Sequence, residues 1–177
     1  MKRLPPEWYR EDAFVFWTLT EARRRKGWLN DEFHAAFREI QLHTLARYRL
    51  MCLAYCLMPD HLHVLWAGVS PESDQHLAAA FFHKYLGLVL RTRKRAWQKQ
   101  AWDVVLREED RQRGALNQTI YYIAENPVRA ELVEQPEDWP WSGAQAPGYP
   151  QLDWRMPDFC TRLWTIYDLE LHRNRQR

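Results

Sequence analysis

The chain has 177 residues, with 46% hydrophobic residues, 27% charged residues and a net charge of +2. These values are typical of one globular domain that buries its own core, and they exclude a disordered or disulfide-dependent chain. The sequence contains no run of 18 apolar residues and no apolar leader, so we predict a cytoplasmic protein without a membrane segment.

The first part of the chain predicts a strand, a helix and a β-hairpin. Residues 13–19 (AFVFWTL) are aromatic and β-branched, which is typical of a strand. From Asn30, the expected N-cap, apolar residues recur every three or four positions and indicate a helix. Residues 50–57 and 61–67 are apolar runs of strand length, separated by Met58-Pro59-Asp60, and this pattern predicts a hairpin.

A long helix is predicted next. Ser70-Pro71-Glu72 is typical of a helix start, and the helix is expected to run to about Arg95. Apolar residues at helical spacing predict its buried face, namely Leu77, Phe81, Tyr85 and Leu88.

The remaining elements complete a recognisable order. Residues 103–106 predict a short strand, and residues 110–125 predict a helix that Pro127 ends. The chain after it is expected to be mostly loop, with a short helix near residues 159–169. The order β-α-β-β-α-β-α predicts an α+β sandwich of ferredoxin-like type, with a central antiparallel sheet.

Two histidines on the predicted hairpin are candidate metal ligands. Residues i and i+2 of a strand point to the same face, so His61 and His63 can converge on one ion. The alternative is a pair of polar side chains on a solvent face, or two hydrogen-bonded histidines in the core.

The last predicted helix carries a candidate nucleophile. Leu116, Ile120 and Ile123 form its apolar stripe, whereas Tyr122 and Asn126 share another flank. A tyrosine hydroxyl is a weak nucleophile at neutral pH, but a divalent cation that polarises the target phosphate makes its attack feasible. The alternative is an ordinary amphipathic helix whose tyrosines border the core.

Together, these two segments resemble the REP-associated tyrosine transposases, which belong to the single-tyrosine HUH transposases of small insertion sequences. The resemblance rests on residues 55–66 (YCLMPDHLHVLW) and 122–133 (YIAENPVRAELV), followed by DWPWS at 138–142, and it covers roughly residues 12–143. It implies an HUH transposase domain over residues 1–143, on which residues 144–177 pack as a Trp- and Pro-rich extension.

The resemblance also implies a chemistry. His61, His63 and Asn126 correspond to the ligands of Mg²⁺ or Mn²⁺, and Tyr122 corresponds to the catalytic tyrosine. In the family, the tyrosine attacks single-stranded DNA and forms a 5′-phosphotyrosine intermediate. The expected partner is therefore single-stranded or hairpin DNA, bound by a monomer or a homodimer. Its phosphates are expected to contact four basic residues: Lys84, Arg91, Arg93 and Arg107.

One position departs from the family. Glu131 stands where the family usually has Gly, and a bulky acid there could alter the turn after the tyrosine helix. Two alternatives to the transposase reading therefore remain. One is a protein that binds hairpin DNA without cutting it, and the other is a metal-dependent phosphoesterase that uses water as the nucleophile.

Overall fold

The structure, a computed structural model, describes residues 4–176. Within these residues, five strands form one antiparallel sheet in the order β4-β1-β3-β2-β5. The strands are β1 (Phe14–Thr20), β2 (Leu50–Leu57), β3 (His61–Gly68), β4 (Trp102–Val105) and β5 (Ser142–Gln145). The helices are α1 (Asp31–Tyr48), α2 (Gln75–Thr92), α3 (Arg113–Ala124), α4 (Asn126–Arg129) and α5 (Phe159–Arg175).

The predicted α+β architecture is confirmed. The first four strands and the helices α1 and α2 give the order β4-β1-β3-β2, which is the ferredoxin-like arrangement. As predicted, Asn30 caps α1, because its side chain accepts a hydrogen bond from the backbone N–H of Phe33. None of the helices formed by residues 4–176 combines the length and the apolar character needed to cross a bilayer.

Each face of the sheet has its own core. Leu62 and Val64 of β3 point towards α1 and α2, where they join one hydrophobic cluster. Leu65 and Ala67 belong to the cluster on the opposite face, with residues of α3 and α5. Because side chains alternate along a strand, His61 and His63 lie on this second face, beyond the end of its apolar packing.

The predicted buried face of α2 is wrong. Leu77 and Leu88 are 55% and 45% exposed, and Tyr85 is exposed as well. The helix instead buries a second series of residues at four-residue spacing, namely Ala78, Phe82, Leu86 and Leu90. A helix with two apolar stripes offers two faces, and packing against the sheet selects one of them.

The start of α2 also differs from the prediction. The side chain of Asp74 caps the helix by accepting a hydrogen bond from the backbone N–H of Leu77 at 2.9 Å. The Ser70 hydroxyl instead accepts from the N–H of Glu72 within the preceding turn. The first helical residue, Gln75, is fully buried, and its side-chain amide donates to the backbone carbonyl of Ala13. This polar contact orients α2 on the sheet.

The region after α3 contains more regular structure than predicted. The strand β5 pairs with β2 and extends the sheet, so the predicted boundary between residues 143 and 144 falls within a strand. The helix α5 continues to Arg175, beyond the predicted end near residue 169, and it buries Phe159, Leu163, Trp164 and Tyr167. The sequence SGAQ of β5 has no strand-forming side chains, and its strand conformation depends on pairing with β2.

Candidate active site

A cavity of about 310 Å³ opens on the second face of the sheet and brings three of the predicted site residues together. Its walls include His61, His63 and Tyr122. The cavity also has walls from β1 and β4, contributed by Phe16, Thr18, Thr20 and Trp102, and from Arg24 in the loop after β1.

The two histidine side chains converge. The Nε2 atoms of His61 and His63 lie 3.1 Å apart. Each Nδ1 atom faces a different oxygen: His61 Nδ1 lies 2.6 Å from Asp60 Oδ1, and His63 Nδ1 lies 2.9 Å from Thr18 Oγ1. When each Nδ1 carries its hydrogen and donates it to that oxygen, both Nε2 atoms present lone pairs to the same point.

Burial keeps one of these two imidazoles, that of His63, neutral. Burial, followed by the charges of His61 and Arg129, lowers the pKa of His63 to about 3, so this imidazole is neutral at physiological pH. Burial alone would raise the pKa of Asp60, but the hydrogen bond with His61 and the ion pair with Arg24 lower it overall. His63 is therefore a neutral imidazole, the form of histidine that ligates metals, and Asp60 is an ionised carboxylate next to His61.

Tyr122 lies on α3 with its side chain 53% exposed, and it lines the same cavity. The guanidinium carbon of Arg129 sits 4.0 Å from the centre of the Tyr122 ring, and Arg129 also donates a hydrogen bond to the backbone carbonyl of Tyr122. A second contact, 3.2 Å from Arg129 Nη1 to Glu125, orients the guanidinium. The ring is thus held by a cation while the residue stays half exposed at the cavity.

Asn126 does not line this cavity. Its side-chain Nδ2 donates to the carbonyls of Tyr122 and Ile123, both at 3.1 Å. Pro127 has no N–H, so the carbonyl of Ile123 lacks its usual partner four residues later, and the Asn126 amide supplies one. Within residues 4–176, no cluster of three or more His, Cys, Asp or Glu side chains is arranged to hold a metal ion. At this cavity, His61 and His63 therefore remain two candidate ligands without a third such side chain among the described residues.

The four basic residues expected to contact phosphates lie elsewhere. Lys84 and Arg91 are on α2, which covers the sheet face opposite to the histidines. Arg93, at the end of α2, forms an ion pair of 2.7 Å with Glu32 at the start of α1. Arg107 is exposed between β4 and α3. The cavity lining includes none of these four side chains.

Several residues of the site were not identified from the sequence. Thr18 faces His63 because β1 pairs with β3 in the register that places these two residues opposite each other. Phe16 stacks on His63, with 5.2 Å between ring centres, and Trp102 meets Phe16 edge to face. Arg129 could have been found, since it follows Tyr122 by seven residues, or two helical turns.

Two curated proteins are similar to the chain. One, from Haemophilus influenzae, is named as a REP-associated tyrosine transposase and is 27% identical over 172 residues, covering 82% of this chain and 92% of that protein. The other, the REP-associated tyrosine transposase of Escherichia coli K12, is 29% identical over 110 residues, covering 57% of this chain and 60% of that protein. No protein-family model matches the chain.

A solved structure of a REP-associated tyrosine transposase bound to a REP hairpin has a similar fold. The TM-score is 0.66 at 21% identity, and the alignment covers 80% of this chain and 82% of that one. The resemblance to the REP-associated tyrosine transposases is confirmed. At this identity, the structural likeness shows the fold.

The departure from the transposase family at Glu131 leaves the turn intact. The N–H of Glu131 donates to Val128 and the N–H of Leu132 donates to Pro127, which is the Schellman pattern that ends a helix. Glu131 occupies its left-handed position, with φ of 56°. The family's usual glycine suits this conformation, because a Cβ atom makes left-handed φ values unfavourable.

We expect Glu131→Gly to stabilise the protein. Relief of the left-handed strain exceeds the entropy that glycine adds to the unfolded chain, so the free energy of unfolding should rise by about 0.5–1 kcal/mol. Urea denaturation of both proteins measures the change. Gly114→Ala, in the first turn of α3, is the reference for a glycine at ordinary helical φ, where alanine rather than glycine should stabilise the protein. If Glu131→Gly instead lowers the free energy of unfolding, the Glu131 side chain stabilises the protein by more than its left-handed backbone conformation destabilises it.

Proposed function

We propose that the chain is a single-strand DNA endonuclease and strand-transferase that acts on hairpin-containing DNA through a 5′-phosphotyrosine intermediate. The observation that carries the proposal is the shared cavity of the converging His61 and His63 nitrogens and the exposed side chain of Tyr122. The similar transposase that was solved with a REP hairpin supports hairpin DNA as the partner.

His61 and His63 fit a divalent cation, which we propose to be Mg²⁺ or Mn²⁺. Zinc–nitrogen and magnesium–oxygen bonds are both about 2.0–2.1 Å long. Two bonds of about this length at right angles place their ligand atoms about 3 Å apart, close to the 3.1 Å between the two Nε2 atoms. The contacts of Asp60 and Thr18 with the two Nδ1 atoms would orient these ligands. When bound, the cation would polarise the scissile phosphate and stabilise its charge. The amide of Asn126 would have to leave α3 to become a third ligand.

Tyr122 supplies the nucleophile. Its hydroxyl oxygen forms a bond to the scissile phosphorus, and the bond from that phosphorus to the 3′ oxygen of the preceding nucleotide breaks. The tyrosine proton leaves to solvent, and the released 3′ oxygen takes up a proton. Arg129 fixes the Tyr122 ring and places a positive charge beside the incoming phosphate. Attack by a DNA 3′-hydroxyl on the phosphotyrosine reverses the step and joins strands.

The cavity also suits unpaired nucleotides. Trp102 is 47% exposed and Phe16 lies beside it, so both rings can stack with bases. Arg24 is largely exposed at the rim, where it pairs with Asp60 at 3.1 Å and can reach a phosphate. Stacking needs bases that are not paired, which favours a single-stranded segment in the cavity.

The direct test is capture of the covalent intermediate. The protein is incubated with Mn²⁺ and a pool of end-labelled, hairpin-bearing single strands, and the products are separated under denaturing conditions. We expect a labelled band at the mass of protein plus DNA and a second product with a free 3′-hydroxyl. Cleavage without an adduct would favour a phosphoesterase, and hairpin binding without cleavage would favour a protein that only binds DNA.

Hairpin binding should depend on salt. Each phosphate contact releases counterions, so the logarithm of affinity should fall with the logarithm of salt concentration by about 0.7 per contacted phosphate of a single strand. Fluorescence anisotropy between 50 and 300 mM salt, roughly the range over which such contacts weaken, measures the slope. A blunt duplex of matched length is the control, and equal affinity for it would contradict a single-strand site.

We expect Asp60→Asn to weaken metal binding. The substitution keeps the size of the side chain but removes the charge that orients His61, and loss of such an outer partner costs about 10–100-fold in metal affinity. Titration with Mn²⁺ in the absence of DNA measures the affinity. Asp168→Asn removes a charge from an exposed ion pair on α5 and should bind Mn²⁺ like the unmodified protein. Equal affinities of the two variants would show that Asp60 does not orient a ligand.

A further inference from the structure

A second cavity, of about 170 Å³, lies at the β5 edge of the sheet, away from the strands that line the histidine cavity. Its walls come from α1, β2 and β5 and from the loop that precedes α5. Two arginines, Arg38 and Arg155, belong to this lining, together with Tyr55, Ser142 and Trp154.

The cavity is rich in hydrogen-bond donors. The indole Nε1 of Trp154 is buried and makes no hydrogen bond with any residue in the described range 4–176. The hydroxyl of Ser142 is likewise buried and unpaired there, with the weakly bonding thiol of Cys56 beside it. Buried polar groups in native proteins almost always have a partner. Both residues line the cavity, and these two polar atoms lie buried within its wall.

The charges of the cavity lining also bear on which ligand it can bind. No acidic side chain among residues 4–176 forms an ion pair with Arg38. Asp153 also lines the cavity, and its carboxylate lies 3.8 Å from Arg155 Nη1. Arg155 Nε donates to the backbone carbonyl of Glu137 at 3.4 Å. Burial, with the charges of Arg38 and Arg155, lowers the pKa of the neighbouring His34 to about 4, so His34 adds no positive charge at neutral pH.

The hydroxyl of Tyr55 is held at the cavity wall. It contacts His34 Nε2 at 3.1 Å, and burial raises the pKa of Tyr55 to about 12, so the group stays protonated. Gly143 lies opposite Tyr55 in the β2–β5 pairing, and a Cβ atom at position 143 would lie 2.7 Å from the Tyr55 hydroxyl. A larger residue in β5 would displace this hydroxyl.

We infer that this cavity binds a phosphoryl group through Arg38 and Arg155, next to the indole of Trp154. Arginine suits the oxygens of a tetrahedral oxyanion. A cavity of this volume holds several water molecules, which is room enough for a phosphoryl group. The group could belong to a phosphodiester of bound DNA or to free phosphate, and the part that concerns DNA rests on the proposed function.

The indole N–H of Trp154 provides the test. The intact ¹⁵N-labelled protein is titrated with inorganic phosphate, at ionic strength kept constant with chloride, while the indole signals are followed by NMR. Trp154→Phe assigns the signal. We expect this signal to shift with phosphate and not with chloride, and Arg38→Gln to weaken the apparent affinity about tenfold, as loss of one charged hydrogen bond does. Arg47→Gln removes an exposed arginine from the same helix and is the matched control.

The second titration uses hairpin DNA with a single-stranded tail. A shift of the Trp154 signal by both ligands, with weaker DNA binding in Arg38→Gln, assigns the site to a DNA phosphate. A shift by phosphate alone assigns it to free phosphate. A signal that moves with neither, or equal affinities in Arg38→Gln and Arg47→Gln, overturns the inference. Because the covalent adduct depends on Tyr122 and is measured separately, failure of this site and failure of the proposed cleavage are distinguishable.

Discussion

Tyr122→Phe should abolish DNA cleavage and the covalent adduct while leaving hairpin affinity and thermal stability nearly unchanged. The change removes one oxygen from an exposed side chain and keeps the ring that Arg129 covers. Loss of the attacking atom should reduce the cleavage rate by at least about 1000-fold, the scale seen when a nucleophile is removed. Denaturing gel electrophoresis of labelled hairpin DNA measures cleavage and adduct in one experiment.

The neighbouring tyrosine is the matched control. The hydroxyl of Tyr121 points to the other flank of α3, where it lies 3.7 Å from the Cys160 sulfur on α5. Tyr121→Phe removes the same atom from a similarly exposed side chain and should cut DNA at the unmodified rate. If Tyr122→Phe cuts DNA as fast as Tyr121→Phe, a water molecule performs the attack. The protein is then a phosphoesterase rather than a tyrosine strand-transferase.

Replacement of either histidine should also stop cleavage, for a different reason. His61→Ala removes one of two converging nitrogens, so we expect both the loss of measurable Mn²⁺ binding and a fall in cleavage of about 10²–10³-fold or more. His63→Gln is the better change at the second position, because His63 stacks on Phe16 and alanine would leave a hole in the wall. Titration with Mn²⁺ and the cleavage assay measure the two effects separately.

A third histidine serves as the control for these variants. His43 is exposed on α1, on the other face of the sheet, and His43→Ala should bind Mn²⁺ and cut DNA normally. Excess Mn²⁺ should partly restore cleavage in a variant that lacks one ligand, whereas it cannot restore a missing nucleophile in Tyr122→Phe. Unchanged cleavage in both His61→Ala and His63→Gln would remove the basis for a metal site here.

The glutamate at position 131 bears on whether the active site is complete. The Schellman pattern from Pro127 to Leu132 forms even though Glu131 has a left-handed φ. The helix α4 and Arg129 therefore keep their positions beside Tyr122. Glu131 therefore affects stability more than geometry. The prediction for Glu131→Gly separates these two effects, because a gain in stability without a change in cleavage would place the residue outside the chemistry.

Local sequence determined much of the fold and part of the candidate site. The apolar runs and the Met58-Pro59-Asp60 break define the hairpin that carries His61 and His63, and the period of two along β3 places both on one face. Likewise, the period of α3 buries Leu116, Ile120 and Ile123 and leaves Tyr122 exposed. These outcomes follow from interactions between residues that are near in sequence.

Tertiary structure decided the rest. Which of two apolar stripes α2 buries depends on the sheet beneath it, and the short β5 exists because β2 offers it a free edge. Strand register brings Thr18 to His63 and Trp102 to the wall of the same cavity, and Arg38 and Trp154 line one cavity at the sheet edge. Each of these depends on contacts between distant segments, and such contacts have no period or spacing that local sequence could reveal.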